Sequence, residues 1–503
     1  LYVPATSLDL ISKYIGGGDN ERVRLNKLGG ADWSKAKARA KAAAKELAEG
    51  LIKLYAERAK VKGYAFPPDD AWQREFEEDF PYEETDDQLR CIAEIKDDMQ
   101  SDRPMDRLLC GDVGFGKTEV ALRAVMKCIL AGKQAAILVP TTVLARQHYL
   151  TAMQRFQGHP ITIELLTRYK TGSEQTALLK KLEAGSVDLG IGTHKLFNKK
   201  IKFKDLGLLV VDEEQRFGVG HKETLKEMSR NVDVLTLSAT PIPRTLAMSY
   251  LADLDVSVID ELPPGRTPVT TKTIRIERKN EVVALLRSVV AEGRQAYWVC
   301  PLIEESEALD LTPAVQAAEE LQRALPDLKV ALLHGAMTAP EKEVVMSAFA
   351  SGETDLLVAT TVIEVGVDVP NATLMVIEHA ERFGLAQLHQ LRGRVGRGAA
   401  RSACLLLYGG ELSELGRERL KIIRETTDGF EIARRDLQLR GPGEFLGERQ
   451  SGMPLLRFAD LETDGALLEA ARREAERWLR EDRDRALAHA RRWFSAKAEF
   501  LAA

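Results

Sequence analysis

Cysteine is scarce. The 503 residues hold five, Cys91, Cys110, Cys128, Cys300 and Cys404, and no C-x-x-C pair. That pattern argues against a disulfide framework or a zinc site and fits a reducing, cytoplasmic compartment. Long apolar runs are missing too. No window approaches 18 consecutive apolar residues, so no segment is expected to span a membrane. There is no excess of basic charge: the formal net charge is −5, so any surface that grips nucleic acid has to be local. Neither a short internal repeat nor a low-complexity tract is found. Residue 1 is Leu and no signal peptide follows, so the chain is expected to start inside a domain.

What is there belongs to a globular protein. Hydrophobic residues make up 45% and charged residues 29%, a balance that excludes a disordered or fibrous chain. The length suits about three domains. Residues 1–30 are strand-like, then Gly-rich. Residues 32–62 are rich in Ala, Leu and Lys, with Leu47, Leu51, Leu54 and Tyr55 at helical spacing; Asp32 suits a helix cap. One long basic helix is expected there, and the same letters also suit a solvated linker helix. The acid-rich stretch 69–87, broken by Pro81, reads as an exposed connector.

From residue 86 to about 250, apolar runs (RLLC, AAILVP, VDLGIGT, LGLLVVD, VDVLTLSAT) alternate with longer amphipathic stretches. Short runs of this kind are buried parallel strands, which predicts an α/β domain with a doubly wound sheet. The pattern restarts near 270 with QAYWVCP, VALLHG, DLLVATT, ATLMVIEHA and ACLLLY, a second α/β domain to about 410. Residues beyond 412 look mostly helical. Two sheets in tandem create a cleft, a common place for a ligand.

Residues 111–118, GDVGFGKT, fit G-x-x-x-x-G-K-[ST], follow an apolar strand and open a helical run. Gly111, Gly114 and Gly116 let backbone N–H groups close around phosphate oxygens, and the helix N-terminus adds partial positive charge. Lys117 is expected to reach the β- and γ-phosphates of ATP and Thr118 to bind Mg²⁺. Residues 208–215, LLVVDEEQ, deliver Asp212 and Glu213 at the carboxyl end of a buried strand. Asp212 is the expected second Mg²⁺ partner and Glu213 the base that orients the attacking water. Arg392, Arg394 and Arg397 lie in QLHQLRGRVGRG, within the second α/β domain. They suit a plain anion patch. In a two-sheet ATPase they read better as groups that reach across the cleft to the γ-phosphate, with Arg394 and Arg397 the candidates for catalysis.

Together these motifs resemble the superfamily 2 helicases and translocases over roughly residues 80–410. FPYEETDDQ resembles that family's adenine-reading segment, which implies that Phe80 stacks on the base and Gln88 hydrogen-bonds it. PTTVLARQ, GTHKL, SATPIPRT, LLHGAM and VATTVIEVGVDVP resemble its remaining motifs. The resemblance implies two tandem RecA-like domains and a nucleic acid held by its phosphate backbone. Two bacterial groups of double-stranded DNA translocases are similar in different places. Residues 1–245 resemble the transcription-repair coupling factors, including the end of their RNA polymerase-interacting domain and the relay helix after it. From about 250 the chain resembles the RecG fork-remodelling helicases.

DGFEIARRDLQLRGPGEFLGERQSG (428–452) resembles the translocation motif that both share, a helical hairpin and loop. That implies coupling contacts at Arg435, Arg440 and Gln450. The expected division is a polymerase-interacting remnant (1–30), a relay helix (31–66), a first RecA-like domain (67–255), a second (256–412), and the hairpin with a helical tail (413–503). The family's wedge and inhibitory domains are not among these residues. The expected activity is ATP-driven movement along double-stranded DNA in a bacterial, nucleoid-associated setting. Three readings stay open: displacement of a stalled RNA polymerase, remodelling of a replication fork, and an ATP-switched clamp or polymerase adaptor that moves little.

Overall fold

The structure is a computed structural model. It describes residues 62–166, 172–193, 201–213, 231–239, 241, 255–265, 267–301, 312–360, 369–398, 400–440, 465–482, 484–486 and 488–489. The strand-like start, all but the last residue of the stretch 32–62, most of GTHKL, most of SATPIPRT, the middle of VATTVIEVGVDVP, and Gln450 lie outside these. So does the side chain of Arg440.

The first domain is built on a seven-stranded sheet. Its strands are β1 (Asp106–Gly111), β2 (Gln134–Leu138), β3 (Ile163–Leu166), β4 (Leu189–Gly192), β5 (Leu206–Asp212), β6 (Asp233–Ser238) and β7 (Asp255–Ile259). They run in the order β3-β4-β2-β5-β6-β1-β7. Every pairing is parallel. Parallel strands need crossovers, and the helices that supply them cover both faces. One face packs on α2 (Asp86–Met99), α3 (Lys117–Leu130) and α4 (Thr142–Arg155) through Ile95, Met99, Val125 and Ala145. The other packs on α5 (Gly172–Ala184) through Leu178 and Leu182.

The second domain repeats the plan. Its six strands are β8 (Thr270–Arg275), β9 (Gln295–Val299), β10 (Val330–Leu333), β11 (Leu356–Ala359), β12 (Ala372–Ile377) and β13 (Ala403–Tyr408), in the order β10-β11-β9-β12-β13-β8, again all parallel. Helices α6 (Lys279–Ala291) and α7 (Thr312–Ala324) cover one face around Trp298. The other face packs on α8 (Ala339–Ala350), α9 (Leu385–Arg392) and α10 (Glu414–Glu425). Helix α11 (Gly429–Arg440) adds Ile432 to that same core. The start of the expected translocation motif is thus part of the second domain's packing. A last helix, α12, spans Gly465–Glu481.

Three strands escaped the sequence reading. All three, β3, β7 and β8, are sheet edges. An edge strand faces less core, so IELL, DVSVI and TTKTIR carry polar residues that break the apolar run. Strand β7 also corrects a boundary. It pairs with β1 from Arg107↔Asp255 to Gly111↔Ile259, so the first sheet extends past the expected break at 255. The acid-rich stretch is corrected too. It is not a bare connector, because Ala71–Glu78 forms a helix, α1, capped by Asp70. Phe76 is fully buried and stacks on Phe156 at 5.0 Å. Some of its acids pair with cations of the domain: Asp69 with Lys96 (2.6 Å) and Lys127 (2.7 Å), and Glu84 with Arg123 (2.5 Å).

All five cysteines are buried and free, and burial pushes the thiols of Cys91, Cys110 and Cys404 up to about 12. No helix among the described residues is long and apolar enough to cross a membrane.

Candidate nucleotide site

Strand β6 lies between β5 and β1. The carboxyl ends of three adjacent strands therefore deliver Asp212 and Glu213, then Ser238, then Gly111 to one place. This is the position at which open α/β sheets bind ligands. After β1 the chain turns through Gly114 (φ 78°) and Gly116 (φ 80°), left-handed conformations that glycine adopts without a Cβ penalty. A Cβ on Gly116 would also displace the Gln88 amide, whose Nε2 stands over it. It is the N-cap of α3 and supplies no side-chain cap. The first N–H groups of that helix are thus left for an anion, with the helix dipole behind them.

Lys117 is only 9% exposed. Its Nζ donates to the carbonyls of Gly111 (2.6 Å) and Asp112 (2.8 Å). Burial pulls the ammonium below the ordinary lysine range, and the carboxylates of Asp212, Asp112 and Glu213 oppose that. A buried cation of this kind gains from an anionic partner. Thr118 follows it on the first turn of α3. Glu213 is 8% exposed and has φ 56°, a strained backbone for a non-glycine residue. Its N–H donates to Leu237 (3.1 Å), and its Oε1 accepts from Ala239 N–H (3.3 Å). The turn aims its carboxylate along the end of β6 rather than onward from β5.

Gln88 serves the loop. Its Oε1 accepts from Thr85 N–H (3.1 Å), completing a capping box on α2, while its Nε2 donates to the carbonyl of Phe115 (2.9 Å). Phe80 is half-buried, with Arg123 and Arg155 at 5.3 and 5.7 Å from its ring and Tyr82 edge-on at 5.5 Å.

The second domain meets this loop directly. His389 of α9 is bonded through Nε2 to Asp112 Oδ1 at 2.6 Å. Arg392 donates to His389 Nδ1 (2.8 Å) and to the carbonyls of Ile423 (2.7 Å) and Thr426 (2.8 Å). A guanidinium only donates, so Nδ1 must accept and the proton sits on Nε2, pointing at Asp112. Burial alone would raise Asp112; the His389 bond, the Val113 N–H and Lys117 outweigh it and hold the carboxyl below its ordinary range. Arg392, expected with the other arginines, is therefore structural: it pins α9 to the end of α10. Gly393 packs so closely on the loop that a Cβ would lie 3.1 Å from Val113 Cβ. Arg394 and Arg397 follow it, both half-buried, with Arg397 Nε donating to the carbonyl of Gly393 (2.9 Å). The structure thus brings the arginine segment to the same cleft as Lys117.

Helix α11 starts at this junction. A Cβ on Gly429 would fall 2.6 Å from His389 Nε2 and from Pro241 Cγ, and closer still to Asp112 Oδ2. Phe430 packs against the cluster of Leu108, Cys110 and Val258 in the first sheet. Arg435, one turn on, pairs with Glu431 (2.7 Å) and Glu425 (3.2 Å). His389, Gly429 and His148, which holds Asp212, were not singled out from the sequence. A signal for His148 was present: Ala145, His148 and Ala152 form the buried stripe of α4, and a polar residue on such a stripe needs a partner.

A cradle of backbone N–H groups, a buried lysine and two acidic groups at one strand end fit a magnesium nucleotide. The chain matches the DEAD/DEAH box helicase family over residues 85–249, the helicase conserved C-terminal domain over 278–399, and the C-terminal part of domain 3 of the ATP-dependent DNA helicase RecG over 426–494. It belongs to the superfamily 2 helicases and translocases. It is 50% identical over 457 residues to the transcription-repair-coupling factor of Bacillus subtilis (strain 168), and 49% identical over the same length to that of Staphylococcus aureus (strain USA300). Each alignment covers 90% of this chain and 38% of the relative, so the chain spans well under half the length of the curated relatives it matches. That likeness continues through the part that also resembles RecG. The structure of RecG bound to a three-way DNA junction superposes with a TM-score of 0.70 at 42% identity, over 87% of this chain and 56% of that one. The helicase MrfA bound to DNA and AMPPNP shares the fold at 15% identity, with a TM-score of 0.54 over 75% of this chain and 57% of that one.

Proposed function

We propose that this chain is the motor of an ATP-driven double-stranded DNA translocase, and that its task is to displace stalled RNA polymerase. The observation that carries the motor reading is the bond from His389 to Asp112, with Gly393 packed on Val113. It sets the arginines of one domain beside the phosphate loop of the other. In this reading Lys117 and the first turn of α3 bind the ATP phosphates, and Thr118 and Asp212 hold Mg²⁺. The metal, when bound, neutralises charge between the β- and γ-phosphates. Glu213 orients the attacking water, and Arg394 and Arg397 stabilise the charge that develops on the γ-phosphate. A γ-phosphate that bridges Lys117 and these arginines favours the closed cleft, and its loss favours the open one. Gln88 supports the loop and reads the adenine edge, with Phe80 beside it. Arg435, Arg440 and Gln450 pass the movement to DNA. The DNA contacts are mostly to phosphates, so affinity falls steeply with salt and does not depend on sequence.

The polymerase task rests on the names of the relatives at 50% and 49% identity. Fork remodelling is the second reading, favoured by the RecG-type match over 426–494 and by the junction in the RecG structure. The test offers the chain an RNA polymerase halted on duplex DNA, with forked DNA as competitor. ATP-dependent release that resists the competitor supports the first reading. Capture by the fork, with the polymerase left in place, supports the second.

A further inference from the structure

Asp212 stands at the end of β5 with its carboxylate largely shielded, and one of its oxygens is already spoken for. Oδ2 lies 2.9 Å from Nε2 of His148. The imidazole is 6% exposed. A carboxylate only accepts, so Nε2 carries the proton and donates. This bond fixes the rotation of the Asp212 side chain. Oδ2 is held toward α4, which leaves Oδ1 as the oxygen free to turn into the cleft.

His148 has little freedom of its own. Helix α4 is anchored at its start, where the Thr141 hydroxyl accepts from Leu144 N–H (3.2 Å). On its outer side Arg146 pairs with Glu343 of α8, in the second domain. Residues two apart on a helix point to opposite sides, so one rigid helix touches the second domain with Arg146 and the acidic strand end with His148.

We propose that His148 is a positioning residue for the magnesium site: its imidazole orients Asp212, and Mg²⁺ affinity in the nucleotide complex depends on that bond. This rests on the reading of Asp212 as a Mg²⁺ partner. Groups that orient a metal-binding side chain from behind typically contribute about 10–100-fold in metal affinity. The nucleotide's own grip on the loop through Lys117 does not pass through His148.

The experiment titrates Mg²⁺ into the chain and a fluorescent ATP analogue, after binding of the analogue has been measured in EDTA. His148→Ala is expected to bind the analogue in EDTA as the wild type does and to need about 10–100-fold more Mg²⁺ for the metal-dependent tightening. His148→Gln places an amide N–H where Nε2 stands and is expected to recover most of that loss. His148→Leu keeps the bulk without the donor and should behave as His148→Ala, which covers the case that alanine fails to fold. A wild-type Mg²⁺ midpoint in His148→Ala or His148→Leu overturns the proposal. Asp212→Asn separates the two layers. If it shifts the midpoint while the His148 variants do not, only the role of His148 falls. If Asp212→Asn leaves the midpoint unchanged, the assignment of Asp212 falls with it.

Discussion

Lys117 and Asp233 show how burial is used for different ends. Burial lowers the Lys117 ammonium, and an anionic phosphate would oppose that shift. Lys117→Ala removes the cation at the start of the loop's helix, while Asp112 keeps its bond to His389 and Asp212 its bond to His148. It is expected to abolish ATP hydrolysis and to leave thermal stability within a few degrees of wild type; normal turnover sinks the site. Asp233, at the start of β6, is 3% exposed. Its Oδ1 accepts from Met105 N–H (2.8 Å), and its Oδ2 has no hydrogen-bond partner. Burial pushes its carboxyl from 3.8 to about 7. A raised carboxyl means that the folded chain holds the proton more tightly than the unfolded one. Stability is then full below about pH 4, falls as pH rises toward 7, and is level above that, a loss of about 4 kcal/mol at most. Asp233→Asn keeps the acceptor and cannot ionise. Melting curves should show it more stable than wild type at pH 8 and nearly equal at pH 4; an equal gain at both would contradict the assignment.

Among the elements, α11 is the most constrained at its first residue. Replacing glycine by alanine in an open helix stabilises by up to about 1 kcal/mol. At Gly429 the methyl would strike the Asp112–His389 bond and Pro241, and overpacking of this kind costs about 1–3 kcal/mol. Gly429→Ala is therefore expected to lower DNA-stimulated ATP turnover about tenfold. Turnover equal to wild type would show that α11 does not bear on the loop. Such three-way contacts were illegible in the sequence, since nothing in DGF, GDV or QLHQLR says that residues 429, 112 and 389 meet. The same holds around α1, where Asp69 and Glu84 look solvated in the sequence and are paired with cations far along the chain. The central strands were legible because a strand buried on both faces is apolar throughout. Three of the four edges, β3, β7 and β8, were not, because their strands carry polar letters; the fourth edge, β10, is the apolar run VALL and was legible. The phosphate loop and DEEQ were legible because their chemistry is local: each functional group lies within a few residues of the glycines or the strand end that positions it.

At the scale of the molecule, two parallel sheets of similar plan meet at the loop of Asp112, and the second sheet's core includes α10 and α11. A change in how the cleft closes must therefore move the helix that carries Arg435. Steady closure without movement is the clamp reading; repeated closure that advances a duplex is the motor reading. The two part company on a duplex that carries a triplex-forming third strand, followed over time with ATP. The account predicts displacement of the third strand that needs ATP, grows with time, falls with added salt and is lost in Lys117→Ala. ATP consumed at a DNA-stimulated rate while the third strand stays in place would contradict it.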